Sequence, residues 1–234
     1  MPFLLINKPA GITSHDVVDK VRKITGERTV GHAGTLDPFA TGLLIIGVGR
    51  ESTKHLNTFL GMPKTYKAVI RLGASSTTLD PEGTIEDASM NNGTPIEIQF
   101  DAITTAIKSL TGDLLQIPPM HSAIKINGQK LYELARQGIE INRPPRPITI
   151  YNFTLLTKLP TSFSLPQDIT AIINCSSGTY IRSIARDLGQ LLNTQAYLTT
   201  LSRTAIGSFS LNDALNLPEL NSENWHNLAK NLLS

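Results

Sequence analysis

Cysteine is almost absent from this sequence of 234 residues, which contains only Cys175. A disulfide within the chain is therefore impossible, and zinc sites built from paired cysteines are excluded. A lone cysteine is more often a small buried hydrophobe than a reactive group. The cysteine content favours a reducing compartment, and we expect a cytoplasmic protein.

Long hydrophobic runs are absent as well. The longest apolar stretch, at residues 43–48, is far shorter than the roughly 20 residues that a membrane-spanning helix needs. The first residues lack the basic start and the long apolar segment of a signal peptide. Since 40% of the residues are hydrophobic and only 17% are charged, the composition also argues against a disordered chain.

Charge of one sign is not in large excess, but the net charge of +2 hides an uneven distribution. Residues 1–75 carry ten basic and five acidic side chains, residues 76–124 carry one and seven, and residues 125–146 carry five and two. Two basic segments thus flank an acidic one, which suits an anionic ligand such as phosphate or nucleic acid. Ordinary variation of a protein surface explains the pattern about as well.

The hydrophobic pattern predicts a mixture of strands and helices. Short apolar runs predict strands at residues 3–7, 43–48, 66–72, 148–156, 169–175 and 197–209. Helical spacing predicts helices at residues 100–110, 131–136 and 180–192, and a further one from Ser14, as the N-cap, to a stop at Gly26. Residues 77–94 predict a loop or hairpin, and Asn127-Gly128 predicts a tight turn. Because strands and helices do not alternate strictly, we predict an α+β fold with a mostly antiparallel sheet.

Three glycines and an Asp-Pro pair interrupt residues 31–44, whose sequence is GHAGTLDPFATGLL. The glycines permit tight turns and the close approach of a ligand. Pro38 prevents Asp37 from continuing a helix, so the carboxylate is expected at a rigid turn before a buried strand. The spacing alone leaves two interpretations open, since most Asp-Pro pairs in loops only form turns.

This segment resembles the aspartate loop of the TruB family of tRNA pseudouridine synthases, which isomerise uridine 55 in the T loop of tRNA. Other blocks resemble the family in the same order along the chain. They are NKPAGITSHD at residues 7–16, KTYKA at 64–68 with RLG at 71–73, QIPPM at 116–120 with SAIK at 122–125, LYELAR at 131–136, SGTYIR at 177–182 and LSRT at 201–204. Because so many blocks follow one another in order over about residues 3–213, the chain is identified as a member of this family.

The resemblance implies the pseudouridine synthase fold, with residues 1–213 as the catalytic domain. Within that domain it implies an acidic loop at about residues 76–98 and a basic RNA-binding insert at about residues 120–147. Residues 214–234 are expected to be a short C-terminal tail, too short for the PUA-like RNA-binding module with which many relatives continue. His121 stands where the family usually has an aromatic residue, and a histidine can still stack or form a hydrogen bond there.

Candidate site residues follow from the matching blocks. Asp37 matches the catalytic aspartate, whose carboxylate can serve as a nucleophile or as a base. Arg182 matches the arginine expected to pair with that aspartate and orient it. Tyr66 matches the tyrosine that packs on the target base, and His32 matches the histidine associated with base flipping. Further substrate contacts implied by the blocks are Leu201 in the base pocket, Tyr180 before Arg182, and Lys8 beneath the active site.

Three functions from different classes are compatible with these features. The first is a synthase for uridine 55 of tRNA, acting as a monomer on the T arm without guide RNA or an obligate protein partner. The second is a pseudouridine synthase for another RNA, and the third is a non-catalytic tRNA-binding or tRNA-folding protein. The presence of Asp37, Tyr66 and Arg182 counts against the third.

The sequence offers no support for a metal or a cofactor, because it lacks a phosphate-binding P-loop, a histidine cluster and a set of cysteines. We expect no membrane contact. Basic residues in the two positive segments are candidate contacts to RNA phosphates, namely Lys20, Arg22, Lys23, Lys64, Lys67, Lys125, Lys130, Arg136, Arg143 and Arg146.

Overall fold

The computed structural model describes residues 1–122, 124–126 and 128–233, apart from the side chains of Lys125, Ile126, Lys130 and Arg136. Asn127 of the predicted turn and the candidate phosphate contacts Lys125, Lys130 and Arg136 therefore lie outside what is described. The chain forms two compact units, which we call unit 1 (residues 1–67 and 201–233) and unit 2 (residues 68–200).

The helices and strands are numbered in chain order. The helices are α1 (Ser14–Thr25), α2 (Arg50–Thr53), α3 (Leu56–Leu60), α4 (Phe100–Ser109), α5 (Leu131–Arg136), α6 (Ile181–Leu191) and α7 (Trp225–Leu228). The strands are β1 (Phe3–Lys8), β2 (Val30–His32), β3 (Thr41–Val48), β4 (Lys64–Leu72), β5 (Ala74–Ser76), β6 (Ile85–Asp87), β7 (Met90–Asn91), β8 (Thr94–Pro95), β9 (Glu97–Gln99), β10 (Gly112–Gln116), β11 (Lys125–Ile126), β12 (Gln129–Lys130), β13 (Arg146–Leu155), β14 (Ser162–Ser164), β15 (Gln167–Cys175), β16 (Ala196–Ile206), β17 (Phe209–Ser210) and β18 (Leu215–Asn216).

Unit 1 is built on strands in the order β16-β3-β1-β18, with β2 added to β3 and β17 added to β16. The strands β1 and β3 pair antiparallel from Phe3 opposite Gly47 to Lys8 opposite Gly42. The pairings of β16 with β3 and of β1 with β18 are parallel. The residues of β3 are buried on both faces of the sheet, which explains the continuous apolar run in its sequence.

Alternate residues of β1 and β3 serve two different cores. Leu4 and Ile6 pack in a cluster with α1 and with residues 217–225, which include the buried Trp225. Phe3 and Leu5 point to the other face, into a cluster with Phe59 and Ile206. The segment expected to be a tail thus contributes core residues to unit 1, while the proposed boundary at residue 213 stays a prediction.

The helix α1 begins at Ser14, but the residue that caps it is Thr13. Thr13 Oγ1 accepts a hydrogen bond from the amide of Asp16, whose carboxylate accepts one from the amide of Thr13. The predicted cap at Ser14 is therefore wrong by one residue, because Ser14 turns its hydroxyl to another segment, described below. Gly26 ends the helix in the left-handed conformation, as the sequence predicts.

Unit 2 carries strands in the order β10-β13-β15-β4. Both pairings of β13, with β10 and with β15, are antiparallel. The acidic region forms short hairpins, β5 with β6 and β7 with β8, where the sequence predicts a loop or hairpin. With helices beside mostly antiparallel strands, the predicted α+β class is confirmed. In the described part of the chain, no helix is long and apolar enough to cross a membrane.

Candidate active site

Asp37 lies in the loop of residues 33–40, which joins β2 to β3 and which we call the aspartate loop. The side chain of Asp37 is half-buried, and its backbone carbonyl accepts a hydrogen bond from the amide of Ala40 at 3.1 Å. This turn follows from Pro38, which fixes its own backbone and cannot donate a hydrogen bond. The rigid turn that the sequence predicts around Asp37 is thus present.

Both neighbours of Asp37 in the chain are held by the segment between β1 and α1. Ser14 Oγ accepts a hydrogen bond from the amide of Leu36 at 2.9 Å and is 3.3 Å from the carbonyl oxygen of Leu36. The carbonyl of Pro38 accepts hydrogen bonds from the amide of Gly11 at 2.9 Å and from Lys8 Nζ at 3.1 Å. These bonds fix the backbone on both sides of Asp37 and so limit the positions that its carboxylate can take.

Lys8 is fully buried at the end of β1. Its ammonium group also donates to the carbonyl oxygens of Pro9 and Ile12, at 2.9 and 2.7 Å. A buried cation surrounded by carbonyls is stabilised by these bonds, and it ties the strand end to the aspartate loop. Lys8 therefore supports the loop, and a direct part in substrate binding stays a prediction.

His32 ends β2, directly before the aspartate loop. Its Nδ1 atom is buried and has no hydrogen-bond partner among the described residues. Burial, and secondarily the positive charges of Arg203 and His15, lowers the pKa of His32 below its usual value. The imidazole is therefore neutral at physiological pH, which suits a group that stacks or fills space rather than one that acts as an acid.

The neutral state of His32 predicts a pH dependence of stability. Because its pKa is lowered on folding, the unfolded chain binds more protons below about pH 6.5, so the free energy of unfolding falls as the pH drops through that range. In the variant His32→Gln this fall should be smaller, as measured by urea unfolding at a series of pH values. The exposed His55 provides the control, since His55→Gln should retain the dependence of the natural protein. Equal slopes in all three proteins would contradict the burial argument.

Two further predicted site residues, Tyr66 and Leu201, belong to unit 1. Tyr66 lies on β4 and Leu201 on β16, and their relative exposures are only 8% and 7%. Side chains with so little exposure belong to the protein interior, where they can form an apolar wall for a base. Their contact with the target base stays a prediction.

Arg182 lies in the first turn of α6 in unit 2, and it is buried. Its guanidinium forms an ion pair with Asp80, with Nη1 3.2 Å from Oδ2, and both side chains are about 5% exposed or less. It also donates to the carbonyl oxygens of Thr78 at 2.9 Å and His121 at 2.8 Å. The bonds that the structure shows for Arg182 thus run to the turn at Asp80 and to the backbone of His121, and its pairing with Asp37 stays a prediction.

Asp80 is a residue that the sequence analysis missed. Its second oxygen, Oδ1, accepts hydrogen bonds from Thr78 Oγ1 and from the amide of Glu82. The local sequence Asp80-Pro81-Glu82-Gly83 signals only a turn, and no local pattern shows that the turn encloses an arginine about a hundred residues later.

The backbone of Tyr180 is clamped by a side-chain amide. Gln116, which is 3% exposed, donates from Nε2 to the carbonyl of Tyr180 at 3.1 Å and accepts from the amide of Tyr180 at 2.8 Å. This paired bond fixes the residue that precedes α6 and so the start of the helix that carries Arg182. Sequence reasoning placed Gln116 in a family block without assigning it this role.

A cleft of about 370 Å³ in unit 2 lies beside the partners of Arg182. It is lined by residues 77–79 and 119–121, by Ala135 and residues 138–140, and by Arg143 and Arg186. Each of the two guanidinium groups forms an ion pair with a nearby carboxylate, Arg143 with Glu140 at 3.0 Å and Arg186 with Asp187 at 2.7 Å. Several of these lining residues belong to the insert expected at residues 120–147, and the role of that insert in RNA binding stays a prediction.

Lys64 does not behave as a phosphate contact. It is 6% exposed, and its ammonium group donates to the carbonyl oxygens of Phe59 and Met62 near the end of α3. A lysine there neutralises the exposed carbonyls of the last helical turn. This burial removes Lys64 from the candidate phosphate contacts, and the expectation is corrected.

Comparison with known proteins decides the family. The family model described as "TruB family pseudouridylate synthase (N terminal domain)" matches residues 22–181. The chain belongs to the TruB family. A protein named tRNA pseudouridine synthase B from Arthrobacter sp. (strain FB24) is 42% identical over 94% of this chain and 71% of its own length. One of the same name from Corynebacterium efficiens is 46% identical over 93% of this chain and 71% of its own length.

A solved structure shares the fold. The chain superposes on a structure described as "Crystal Structure of a Cbf5-Nop10-Gar1 Complex" with a TM-score of 0.68 and 26% identity. The match covers 93% of this chain and 52% of that one, so the chain spans about half the length of that relative. The resemblance to the TruB family, the pseudouridine synthase fold and the enzyme class predicted from the sequence are thereby confirmed.

Proposed function

We propose that this TruB-family enzyme converts uridine 55 in the T loop of tRNA to pseudouridine, and that Asp37 is its catalytic carboxylate. The observation that carries the proposal is the aspartate loop, in which both residues adjacent to Asp37 are fixed by hydrogen bonds to Ser14, Gly11 and Lys8. Relatives that are 42–46% identical and named tRNA pseudouridine synthase B support the choice of substrate.

The reaction requires one bond to break and another to form at the same sugar carbon. The N1–C1′ bond of uridine breaks, the uracil turns, and a C5–C1′ bond forms, after which C5 loses its proton and N1 gains one. A carboxylate can attack C1′ or can take a proton, and both roles need the ionised form of Asp37. No redox or group-transfer partner is needed, which fits the cofactor-free reaction we propose.

The other site residues are assigned to binding and orientation. In this proposal Arg182 pairs with Asp37 in the assembled site, Tyr66 stacks on the extruded uracil, and Leu201 forms the apolar wall beside it. His32, neutral and with a buried Nδ1, fills the space that the flipped base leaves. Tyr180 and Lys8 hold the start of α6 and the aspartate loop, respectively.

We further propose that the enzyme acts as a monomer in the cytoplasm, on tRNA alone, without guide RNA or an obligate protein partner. The second candidate is a synthase for another RNA. The higher identity to proteins named for tRNA favours the first candidate.

Mapping pseudouridine in tRNA tests the proposal. Total tRNA from cells without a uridine 55 synthase should acquire pseudouridine at position 55 alone when incubated with the purified protein. Incubation with Asp37→Asn should leave the tRNA unmodified. Modification at other positions or in ribosomal RNA, with position 55 unchanged, would favour the second candidate.

Binding to the T-arm stem-loop should weaken steeply with salt. The logarithm of the association constant should fall linearly with the logarithm of the salt concentration, with a slope of about −0.7 to −0.9 per neutralised phosphate. Lys67→Gln and Arg146→Gln, which alter exposed side chains of the basic segments, should each reduce the slope by about 1.

The matched control is Lys158→Gln, since Lys158 is exposed but lies in the neutral region of residues 147–234. Its slope should equal that of the natural protein when binding is measured by fluorescence anisotropy. A slope that does not change in Lys67→Gln or Arg146→Gln would remove the basic segments from the RNA-binding surface.

A further inference from the structure

Arg203 is the most voluminous fully buried side chain of the described residues, with a relative exposure of 1%. It lies on β16, and its guanidinium donates to two backbone carbonyls. Nε donates to the oxygen of Leu43 at 2.8 Å, and Nη2 donates to the oxygen of Gly34 at 3.0 Å. Both bonds lie within unit 1.

A guanidinium is an expensive group to bury. Removing a cation from water costs free energy that two neutral carbonyl oxygens offset only in part. An apolar side chain of similar length would fill the same space without that cost, so packing alone does not require an arginine here. What the arginine adds is the pair of directed hydrogen bonds.

These two bonds reach the backbone on either side of Asp37, at Gly34, the second residue of the aspartate loop, and at Leu43, three residues after the loop ends. Gly34 follows the end of β2, and Leu43 lies near the start of β3. One guanidinium therefore bonds the chain both before and after Asp37. The backbone of Arg203 also pairs with Gly42 in parallel register. Gly42 has a φ of +108°, and a Cβ on it would overlap the carbonyl oxygen of Arg203.

The same strand carries a second site residue. Leu201 and Arg203 are two positions apart on β16, so their side chains lie on the same face of the strand, and both are buried. A residue that is bonded to the chain on both sides of Asp37 therefore also fixes the aspartate loop relative to Leu201.

We propose that Arg203 is a positioning residue for catalysis. By its bonds to Gly34 and Leu43 it holds the aspartate loop, so that Asp37 keeps a fixed distance from β16, the strand that carries Leu201. The inference rests on the proposed catalytic role of Asp37. Arg203 touches no reacting atom in this account. Its effect passes through the backbone at Gly34 and Leu43.

The test compares kinetics of Arg203→Met and Arg203→Lys with those of the natural enzyme, on a T-arm stem-loop and at a temperature where each protein is folded. Arg203→Met keeps the length of the side chain but loses both hydrogen bonds, so kcat should fall about 100-fold, as expected when a reacting group is displaced by about 1 Å. KM should change less than threefold, since RNA contacts are untouched. Arg203→Lys retains a donor that reaches one carbonyl at a time, and its kcat should be intermediate.

A readout without substrate accompanies the kinetics. Hydrogen exchange of the Leu36 and Ala40 amides should be at least tenfold faster in Arg203→Met, because these amides are bonded within or onto the aspartate loop. Exchange in the centre of β1, at Leu5, should not change. If Arg203→Met does not fold, Arg203→Lys provides both readouts.

Leu220→Ala is the matched control, because Leu220 is buried in unit 1 but packs in the core cluster that contains neither Ala33 nor Leu43. It should lower the melting temperature while kcat, corrected for the folded fraction, stays within about twofold. Natural kcat and natural loop exchange in the Arg203 variants would overturn the positioning role. If Asp37→Asn retained activity in the same assay, the proposed function would fail instead, whatever the Arg203 variants do.

Discussion

Replacing Asp37 by asparagine is expected to lower the rate of pseudouridine formation by at least about 10⁴-fold, as happens when a nucleophile or essential base is removed from an enzyme. Asparagine has the shape of aspartate but carries no negative charge, so it can neither attack C1′ nor take a proton. Single-turnover measurement on a T-arm stem-loop gives the rate of the chemical step directly.

The substitution should leave the aspartate loop in place. The bonds that fix the loop on either side run through the backbones of Leu36 and Pro38, and the turn itself uses the backbone carbonyl of Asp37. None of them involves the carboxylate. Affinity for the RNA should therefore remain within about tenfold of the natural value, since phosphate contacts dominate such binding.

Asp213→Asn is a suitable control, because Asp213 is an exposed carboxylate of the same unit outside the site. It should react at the natural rate. Turnover by Asp37→Asn within tenfold of that control would remove Asp37 from the chemistry and with it the proposed mechanism.

The parts of this site that the sequence predicts are those with a local signature. The turn at Asp37 follows from glycines and a proline in one short segment, and the helix that carries Arg182 follows from apolar spacing within eleven residues. The family resemblance then attached roles to these residues. In each case the information lies within a few residues of the chain.

Hydrogen bonds between residues far apart in the chain have no local sequence pattern that predicts them. Ser14 looks like a helix cap from its neighbours, yet its hydroxyl bonds Leu36, which lies 22 residues later in the chain. Arg203 reaches Gly34 across 169 residues. One signal for Arg203 did exist. Its place two positions after Leu201 puts a cation on the inward face of a strand, where it needs a polar partner. The position of Arg203 on the strand shows that its guanidinium needs a polar partner, but it does not show which residue provides one.

Replacing Asp80 by asparagine is expected to lower the free energy of unfolding by about 3 kcal/mol, since breaking a buried ion pair leaves a cation without its counter-charge. The pair is almost fully covered, with both side chains about 5% exposed or less. Asparagine can still accept hydrogen bonds from Thr78 and Glu82 through its oxygen. Its amide nitrogen would then face the guanidinium of Arg182, which makes the contact repulsive. Urea unfolding at neutral pH measures the loss.

Asp168→Asn gives the matched control within unit 2. Asp168 forms a two-point bond with Arg71, at 2.8 Å for each contact, but the side chains are about 40% exposed. A solvent-exposed ion pair contributes little to stability, so the free energy of unfolding of this variant should fall by about 1 kcal/mol or less. Equal losses in Asp80→Asn and Asp168→Asn would show that burial adds nothing to the first pair.

A double variant separates the structural cost from the catalytic one. Removing both charges, as in Asp80→Asn with Arg182→Met, leaves no buried cation without a partner, so the double variant should be more stable than Asp80→Asn alone. It should nevertheless form no more pseudouridine than Asp80→Asn, because the guanidinium proposed to orient Asp37 is gone. Recovered stability without recovered activity would show that the site needs the guanidinium of Arg182 and not only a stable fold, whereas recovery of both would contradict the orienting role proposed for Arg182.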